Sequence, residues 1–305
     1  SDVCSSDLAL DGSLRPIAGA LPIAMAARAA GLRGLLLPAV NAEEAAVLAD
    51  FDVVPIGKLM DAVDFLGGTT AIAPHRTDVE ALFAAGRRAV PDLNEVRGQA
   101  HVKRALTVAA AGGHNLLMVG PPGTGKTMLA SRLPGILPAL EFDEALETTR
   151  VYSVAKQLNG RAALITQRPF RAPHHTATTV SISGGGHGQQ ATPGEVSLAH
   201  NGVLFLDELP EFNRAALEVL RQPLEEGLVH IRRANYSVTL PSHFMLVVAM
   251  NPCPCGYRTD PRRHCRCAPG EVQRYINRLS GPLLDRIDLH VEVPALSFDE
   301  LSDPR

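Results

Sequence analysis

Gly120-Pro121-Pro122-Gly123-Thr124-Gly125-Lys126-Thr127 is the stretch on which the fold is decided. It fits the pattern G-x-x-x-x-G-K-[ST], and it stands where that pattern must stand, between an apolar run at 115–119 and a helical run at 126–133. Glycines in such a turn let backbone N–H groups wrap a phosphate chain, and the helix start adds a favourable partial positive charge. Lys126 is placed to reach β- and γ-phosphates, and the Thr127 hydroxyl to bind Mg²⁺. The plainer alternative, a chance Gly-Pro loop, lacks a reason for both correct flanks. The expected ligands are therefore ATP and Mg²⁺, held by residues 120–127.

Strand and helix signals alternate around this loop. Residues 99–111 read as a helix ending at Gly112-Gly113, and 202–206 and 244–250 as strands apolar along their whole length. A helix is expected at 214–226. Continuous apolar strands alternating with helices predict an α/β fold, a parallel sheet with helices on both faces. Ligands of such sheets collect at the carboxyl edge. The strand Val203-Leu-Phe-Leu206 would deliver Asp207 and Glu208 there, Asp207 to hold Mg²⁺ and Glu208 to orient and deprotonate the attacking water. An isolated Asp-Glu after a strand is commonly a solvated turn; the partner loop at 120–127 favours the chemical role. Asn251, ending the 244–250 strand, is a candidate to position that water, or merely opens the Asn251-Pro252 turn. Arg286 sits between Asp285 and Asp288. It is either half of a structural ion pair or an arginine finger offered to the ATP of a neighbouring subunit.

The bulk composition narrows the class. A chain of 305 residues with 46% hydrophobic and 20% charged side chains reads as globular rather than disordered, with room for two domains. Its net charge of −3 excludes a globally basic nucleic-acid binder, so any such surface must be a local patch. The most apolar run, 17–40, is broken by Pro22, Arg28, Arg33 and Pro38, which argues against a membrane span. With no secretory signal pattern, a cytoplasmic address is expected. Residues 1–8 resemble a translated sequencing adapter and are set aside, which implies that the natural N-terminus is missing; the Ser-Asp-Pro-Arg305 ending suggests the same of the C-terminus. The expected division is 9–70 as a small α/β segment, 71–90 as a linker and 91–305 as the nucleotide-binding core. Within 9–70, helix 22–30 should end at Gly31, 35–37 should be a strand, and Asn41 should cap a second helix.

Four of the five cysteines form two C-x-C pairs, Cys253/Cys255 and Cys265/Cys267. Thiolates from two short turns can close a tetrahedral zinc site, although C-x-C is tighter than the common C-x₂-C spacing. Arg258, Arg262, Arg263 and Arg266 lie beside them, so the loop reads as a zinc knuckle displaying arginines to DNA; free thiols in a loop are the plainer alternative.

Several longer stretches resemble the magnesium-chelatase-like AAA+ proteins, most closely the YifB/ComM group. They are Asp92-Leu-Asn-Glu-Val-Arg-Gly-Gln99, the loop at 120–127, Arg168-Pro-Phe-Arg-Ala-Pro-His-His175, and the run from Gly194-Glu-Val-Ser-Leu-Ala-His-Asn to Asp207-Glu-Leu-Pro-Glu-Phe212. Ala249-Met-Asn-Pro-Cys-Pro-Cys-Gly256 and Leu279-Ser-Gly-Pro-Leu-Leu-Asp-Arg-Ile-Asp-Leu-His290 complete the match. The resemblance implies a P-loop NTPase core of the AAA+ kind, a homo-oligomeric ring, as a hexamer, and a helicase or branch-migration motor on single-stranded or branched DNA. It also implies an insertion near 163–195 and a hairpin near 228–241 that face the ring's pore. Arg168, Arg171, His174 and His175 in one, with Arg232 and Arg233 in the other, are the candidate phosphate contacts; ordinary surface charge is the alternative. The Gly184-Gly-Gly-His-Gly188 run reads as a mobile loop. A magnesium-chelatase subunit or a protein remodeller remains the competing function. The segment at 10–66 resembles the end of a Lon-protease-like domain, and a lid domain with its second sensor should lie beyond Arg305.

Alignment of residues 17–31 with the Lon helix puts Leu21 where a catalytic lysine would stand, and a leucine cannot activate a serine nucleophile. The expected outcome is no ATP-dependent cleavage of an unfolded casein; measurable cleavage by the purified protein would overturn this expectation.

Overall fold

The computed structural model describes residues 8–296 apart from 89, 159–162, 187–190 and 234–235. The sequencing-scar expectation, save Leu8, thus lies outside the described residues, as do the end of the Gly184–Gly188 run and the residues near Arg305. Two compact units divide the chain: residues 1–88 with 141–166, and residues 89–140 with 167–305.

In the first unit, strands β1 (Gly34–Pro38) and β2 (Asp52–Ile56) pair in parallel. Helix Ala20–Ala29 precedes β1, and Gly31 follows it in the left-handed region at φ 74°, as a helix-ending glycine should. Asn41 does not cap the next helix, which begins two residues earlier and spans Ala39–Ala45. Its amide instead bridges the Ile17 backbone, accepting from the N–H and donating to the C=O. Glu44 likewise serves a different helix, accepting from the Leu21 N–H in the first turn of Ala20–Ala29. Both side chains are half of a tertiary contact that helix-local rules cannot see.

The excursion at 141–166 is absent from the division expected from sequence. Helix Phe142–Val154 belongs to this first unit because the Ser153 hydroxyl donates to Glu44 and the Thr166 hydroxyl bonds the Leu82 carbonyl at 3.4 Å.

The second unit holds β3 (Leu116–Val119), β4 (Phe170–Arg171), β5 (Gly184–Gly185), β6 (Thr192–Pro193), β7 (Gly202–Leu206), β8 (Leu228–Arg233), β9 (Tyr236–Pro241), β10 (Phe244–Met250) and β11 (Leu289–Glu292). Five of these form one parallel sheet in the order β11-β3-β10-β7-β4. Successive side chains of β3, β7 and β10 feed two cores alternately. Leu116, Met118, Val203, Phe205, Val247 and Ala249 face helices Ala100–Gly112 and Lys126–Ala130. Leu117, Leu204, Leu206, Leu246 and Val248 face the opposite helices, with Ala216, Leu217, Tyr275 and Leu283. Burial on both faces is why these strands read as unbroken apolar runs.

Two expected helices are broken, each at a proline. The run at 126–133 ends early at Ala130, and Pro134 opens a new turn, Leu133–Ile136, rather than stopping the first one. The run at 214–226 splits into Arg214–Glu218 and Arg221–Glu226, because Pro223 has no N–H for the carbonyl four residues back and its ring crowds it. Gly184–Gly185, expected as loop, pairs antiparallel with Thr192–Pro193.

Phe205 is 1% exposed and stacks on Phe170 with ring centroids 5.9 Å apart. Phe205→Ala should lower the unfolding free energy by about 3–5 kcal/mol in urea titration, whereas Leu32→Ala, at a side chain 58% exposed, should leave it nearly unchanged.

Candidate active site

Three neighbouring parallel strands end at one edge of the sheet, and each hands over a residue of the candidate site there. β3 runs into Gly120, β7 into Asp207 and β10 into Asn251. Their register, Met250 beside Val119 and Val248 beside Leu206, fixes which residues meet. The Gly120 N–H donates to the Met250 carbonyl at 3.2 Å. A Cβ on Gly120 would lie 2.1 Å from the Val293 carbonyl oxygen, so the backbone just past β11 excludes any larger residue where the loop begins.

Lys126 is 8% exposed. Its ammonium donates to the carbonyls of Gly120 at 2.7 Å and Pro121 at 2.9 Å, and reaches Asn251 Oδ1 at 3.3 Å. Burial lowers its pKa, while the nearby carboxylates of Asp207 and Glu208 pull the other way. The Thr127 hydroxyl donates to Asp207 Oδ2 at 2.6 Å, and the Glu208 N–H donates to Asp207 Oδ1 at 2.9 Å. The two oxygen donors expected to hold Mg²⁺ are therefore already in contact. A hydroxyl and a carboxylate beside a phosphate-binding loop are the donor set that a hard cation takes. Gly123, Thr124 and Gly125 complete the turn between Pro122 and Lys126.

Glu208 takes a left-handed backbone conformation, φ 54°, and its carboxylate is 3.4 Å from His175 Nδ1. His175 was expected at a DNA surface; instead it contacts the residue expected to act as base. Its ring lies 4.0 Å from that of His174, which is exposed and bonded to the Thr176 hydroxyl at 2.9 Å. Tyr275, which no sequence pattern singles out, lies against the Asn251 backbone. Its phenol is pushed up to about 12, chiefly by burial and by the charge of Glu211, against a hydrogen bond from the Asn251 backbone.

The remaining expected phosphate contacts divide sharply. Arg171 makes a two-pronged pair with Glu195, at 2.7 and 2.9 Å, and Arg168 donates to the carbonyls of Pro138 and Asn201. These guanidiniums are engaged by contacts within the second unit. Arg232 is exposed on β8 of the hairpin that β8 and β9 form, as expected; the side chain of Arg233 lies outside the described residues. Arg286 pairs with Glu225 and donates to the Pro282 carbonyl at 2.8 Å. Its own carbonyl accepts from Asn115, at the start of β3 and hence at the sheet edge opposite Gly120.

The four cysteines converge. Their sulfurs all lie within 4.8 Å of one another, with Cys253–Cys255 at 3.4 Å, Cys255–Cys265 at 3.6 Å and Cys253–Cys265 at 3.7 Å. A tetrahedral ion with bonds of about 2.3 Å separates its sulfurs by roughly 3.8 Å, so the cluster is close to metal-ready. Backbone N–H groups of Tyr257 and Arg266 hold the Cys255 thiol at about 6. Cys267 is pushed up to about 12: the Cys255 N–H favours its thiolate, but desolvation and the sulfurs of Cys255 and Cys253 outweigh it. A second negative charge is thus unwelcome until a cation arrives.

Comparison with known proteins places these features in company. The family profile described as magnesium chelatase, subunit ChlI, matches residues 92–301. Competence protein ComM of Haemophilus influenzae is 50% identical over 302 residues, covering 98% of this chain and 58% of that protein. YifB of Escherichia coli is 46% identical over 289 residues, 94% and 55% of the two chains. Lon protease 2 of Bacillus subtilis is 28% identical over 164 residues, 49% and 28%. The chain spans a little over half the length of the ComM and YifB relatives. Among the described residues, no helix is long and apolar enough to cross a membrane.

Removing the Lys126 ammonium should separate binding from stability. Lys126→Met should weaken nucleotide binding by about 10- to 100-fold in a fluorescence titration. Burial puts the folded pKa below the ordinary 10.5, so the unfolded chain keeps its proton to higher pH. Stability of the unsubstituted protein should gain with rising pH approaching that value, and Lys126→Met should lack this contribution.

Proposed function

The chain belongs to the magnesium-chelatase ChlI family, in its YifB/ComM branch, and is an AAA+ ATPase core; on that premise we propose that it is the motor of a homo-oligomeric ring that uses ATP to move DNA. The observation carrying the ATPase part is the contact of Thr127 with Asp207, which unites the phosphate loop with the acidic strand end. Lys126 exchanges its loop carbonyls for the β- and γ-phosphates. Glu208 accepts the proton of the attacking water, with His175 setting the direction of the carboxylate. Asn251, tied to Lys126, orients that water against the γ-phosphate. Thr127 and Asp207 would hold a Mg²⁺, which when bound would neutralise the developing charge.

Arg286 supports a ring. It lies at the sheet edge away from its own Gly120, separated by the length of β3, on the order of 13 Å, so it serves as a finger only towards the ATP of a neighbouring subunit, after leaving Glu225. The DNA part is supported by Arg232, exposed on the β8–β9 hairpin. Zinc is the ion that the four-cysteine cluster fits, and Cys253, Cys255, Cys265 and Cys267 would hold it as a structural clasp.

Four outcomes are expected of the full-length protein. ATP hydrolysis should rise with forked or single-stranded DNA and fall on the order of 100-fold or more in Glu208→Gln. Glu208-dependent hydrolysis indifferent to DNA would move the reading to a chelatase or protein-remodelling motor. Arg286→Ala and Glu208→Gln should each be inactive alone yet partly active when mixed, since each supplies what the other lacks; a dead mixture would remove the finger. Elemental analysis should find one zinc per chain, and its absence would end the clasp assignment.

A further inference from the structure

We propose that the cysteine loop forms one wall of the nucleotide cleft, and that Tyr257, with Arg263 laid on its ring, takes the nucleoside end of the bound triphosphate. The proposal rests on the assignment of residues 120–127 as the ATP site. It adds a residue set that the phosphate-loop pattern does not contain.

The loop is pressed against the phosphate loop at one point. Gly256, at φ 85°, follows Cys255 directly, and a Cβ there would lie 2.7 Å from Cδ of Pro122. Only a glycine permits both the backbone turn and the approach. The two arms of the loop meet at the four sulfurs, and the Cys255 N–H reaches Cys267 Sγ at 3.4 Å. From that fixed point the chain runs out so that Tyr257, Asp260, Arg262 and Arg263 line the same cleft as Pro122 and Gln99. Its volume is about 780 Å³, in the range of a small-molecule site. Arg262 and Arg263, exposed residues of the basic loop, border this cleft.

Two observations say which end of a triphosphate belongs here. The Arg263 guanidinium carbon lies 4.9 Å from the Tyr257 ring centroid, and Arg263 Nη1 donates to the Tyr257 hydroxyl at 2.7 Å. The pair is a flat, held surface suited to packing on a base or sugar. Gln99, in the lining of the same cleft, is 4% exposed and donates through Nε2 to the Pro294 carbonyl at 2.8 Å. That contact fixes the amide, and Oε1 is left buried with no partner. A buried acceptor without a donor is costly, and its natural complement is an N–H or O–H. An ionised phosphate offers none; a nucleobase amine or a ribose hydroxyl does. The phosphates already have Lys126 and Thr127.

The test titrates the full-length protein with Mg²⁺-ATP and, separately, with Mg²⁺ and inorganic tripolyphosphate, which has phosphates and no nucleoside. Tyr257→Ala and Arg263→Ala should each weaken ATP binding roughly 5- to 30-fold and leave tripolyphosphate binding unchanged. Tyr257→Phe keeps the ring and should retain most of the ATP affinity, which separates lost packing from a collapsed loop. Equal loss for both ligands, or loss for neither, overturns the proposal. Lys126→Ala should weaken both ligands together; if it weakens neither, the ATP-site assignment itself fails and the proposal with it.

Discussion

The register of β10 between β3 and β7 is the constraint on which the site depends. β3 leads into the glycine-rich loop, β7 into Asp207 and β10 into Asn251, and the pairing of Met250 with Val119 and of Val248 with Leu206 decides that these meet. A slip of one residue would turn every side chain of β10 to the other face and exchange the two cores. Such a slip is resisted because both faces of the strand are buried and filled by different helices. Packing remote from the chemistry therefore holds Lys126 on Asn251 and Thr127 on Asp207. The same arrangement places Arg286 at the far edge of the sheet, beside Asn115 at the start of β3.

Charge is used economically around that edge. Lys126 is nearly buried, which would be unfavourable were it not for two loop carbonyls and the two acids beside it. Arg171 and Arg168 have positions in the sequence that suit phosphate contact, yet their partners are Glu195 and backbone carbonyls. A guanidinium offers five donors in a plane, so it can knit together chain ends that no apolar residue could satisfy. Arg168 bonds a carbonyl that ends one connection, at Pro138, and another that opens β7, at Asn201. Its role is to close the frame around the site.

The cysteine loop starts two residues beyond Asn251, so its conformation cannot be independent of the nucleotide edge. Gly256 presses on Pro122, and Tyr275 backs Asn251 from the other side. A clasp that fixes the loop would also fix one side of the cleft.

The sequence by itself determined the parallel sheet, the three strand ends and the identities of Lys126, Thr127, Asp207, Glu208 and Asn251. Those signals are local: a strand apolar on both faces, a glycine-rich turn and the residue just past it are legible without knowing the neighbours. Gly31 was legible for the same reason, whereas the β8–β9 hairpin was expected only from the family resemblance. Tertiary structure alone decided where side chains with long reach find their partners. Asn41 and Glu44 left their own helix for Ile17 and Leu21, His175 turned to Glu208, and Gln99 met Pro294 from the opposite end of the core. The excursion of 141–166 onto the first unit is of the same kind, set by contacts such as Ser153 with Glu44. Such contacts join residues far apart in the chain, and their energy depends on distances that no local pattern encodes.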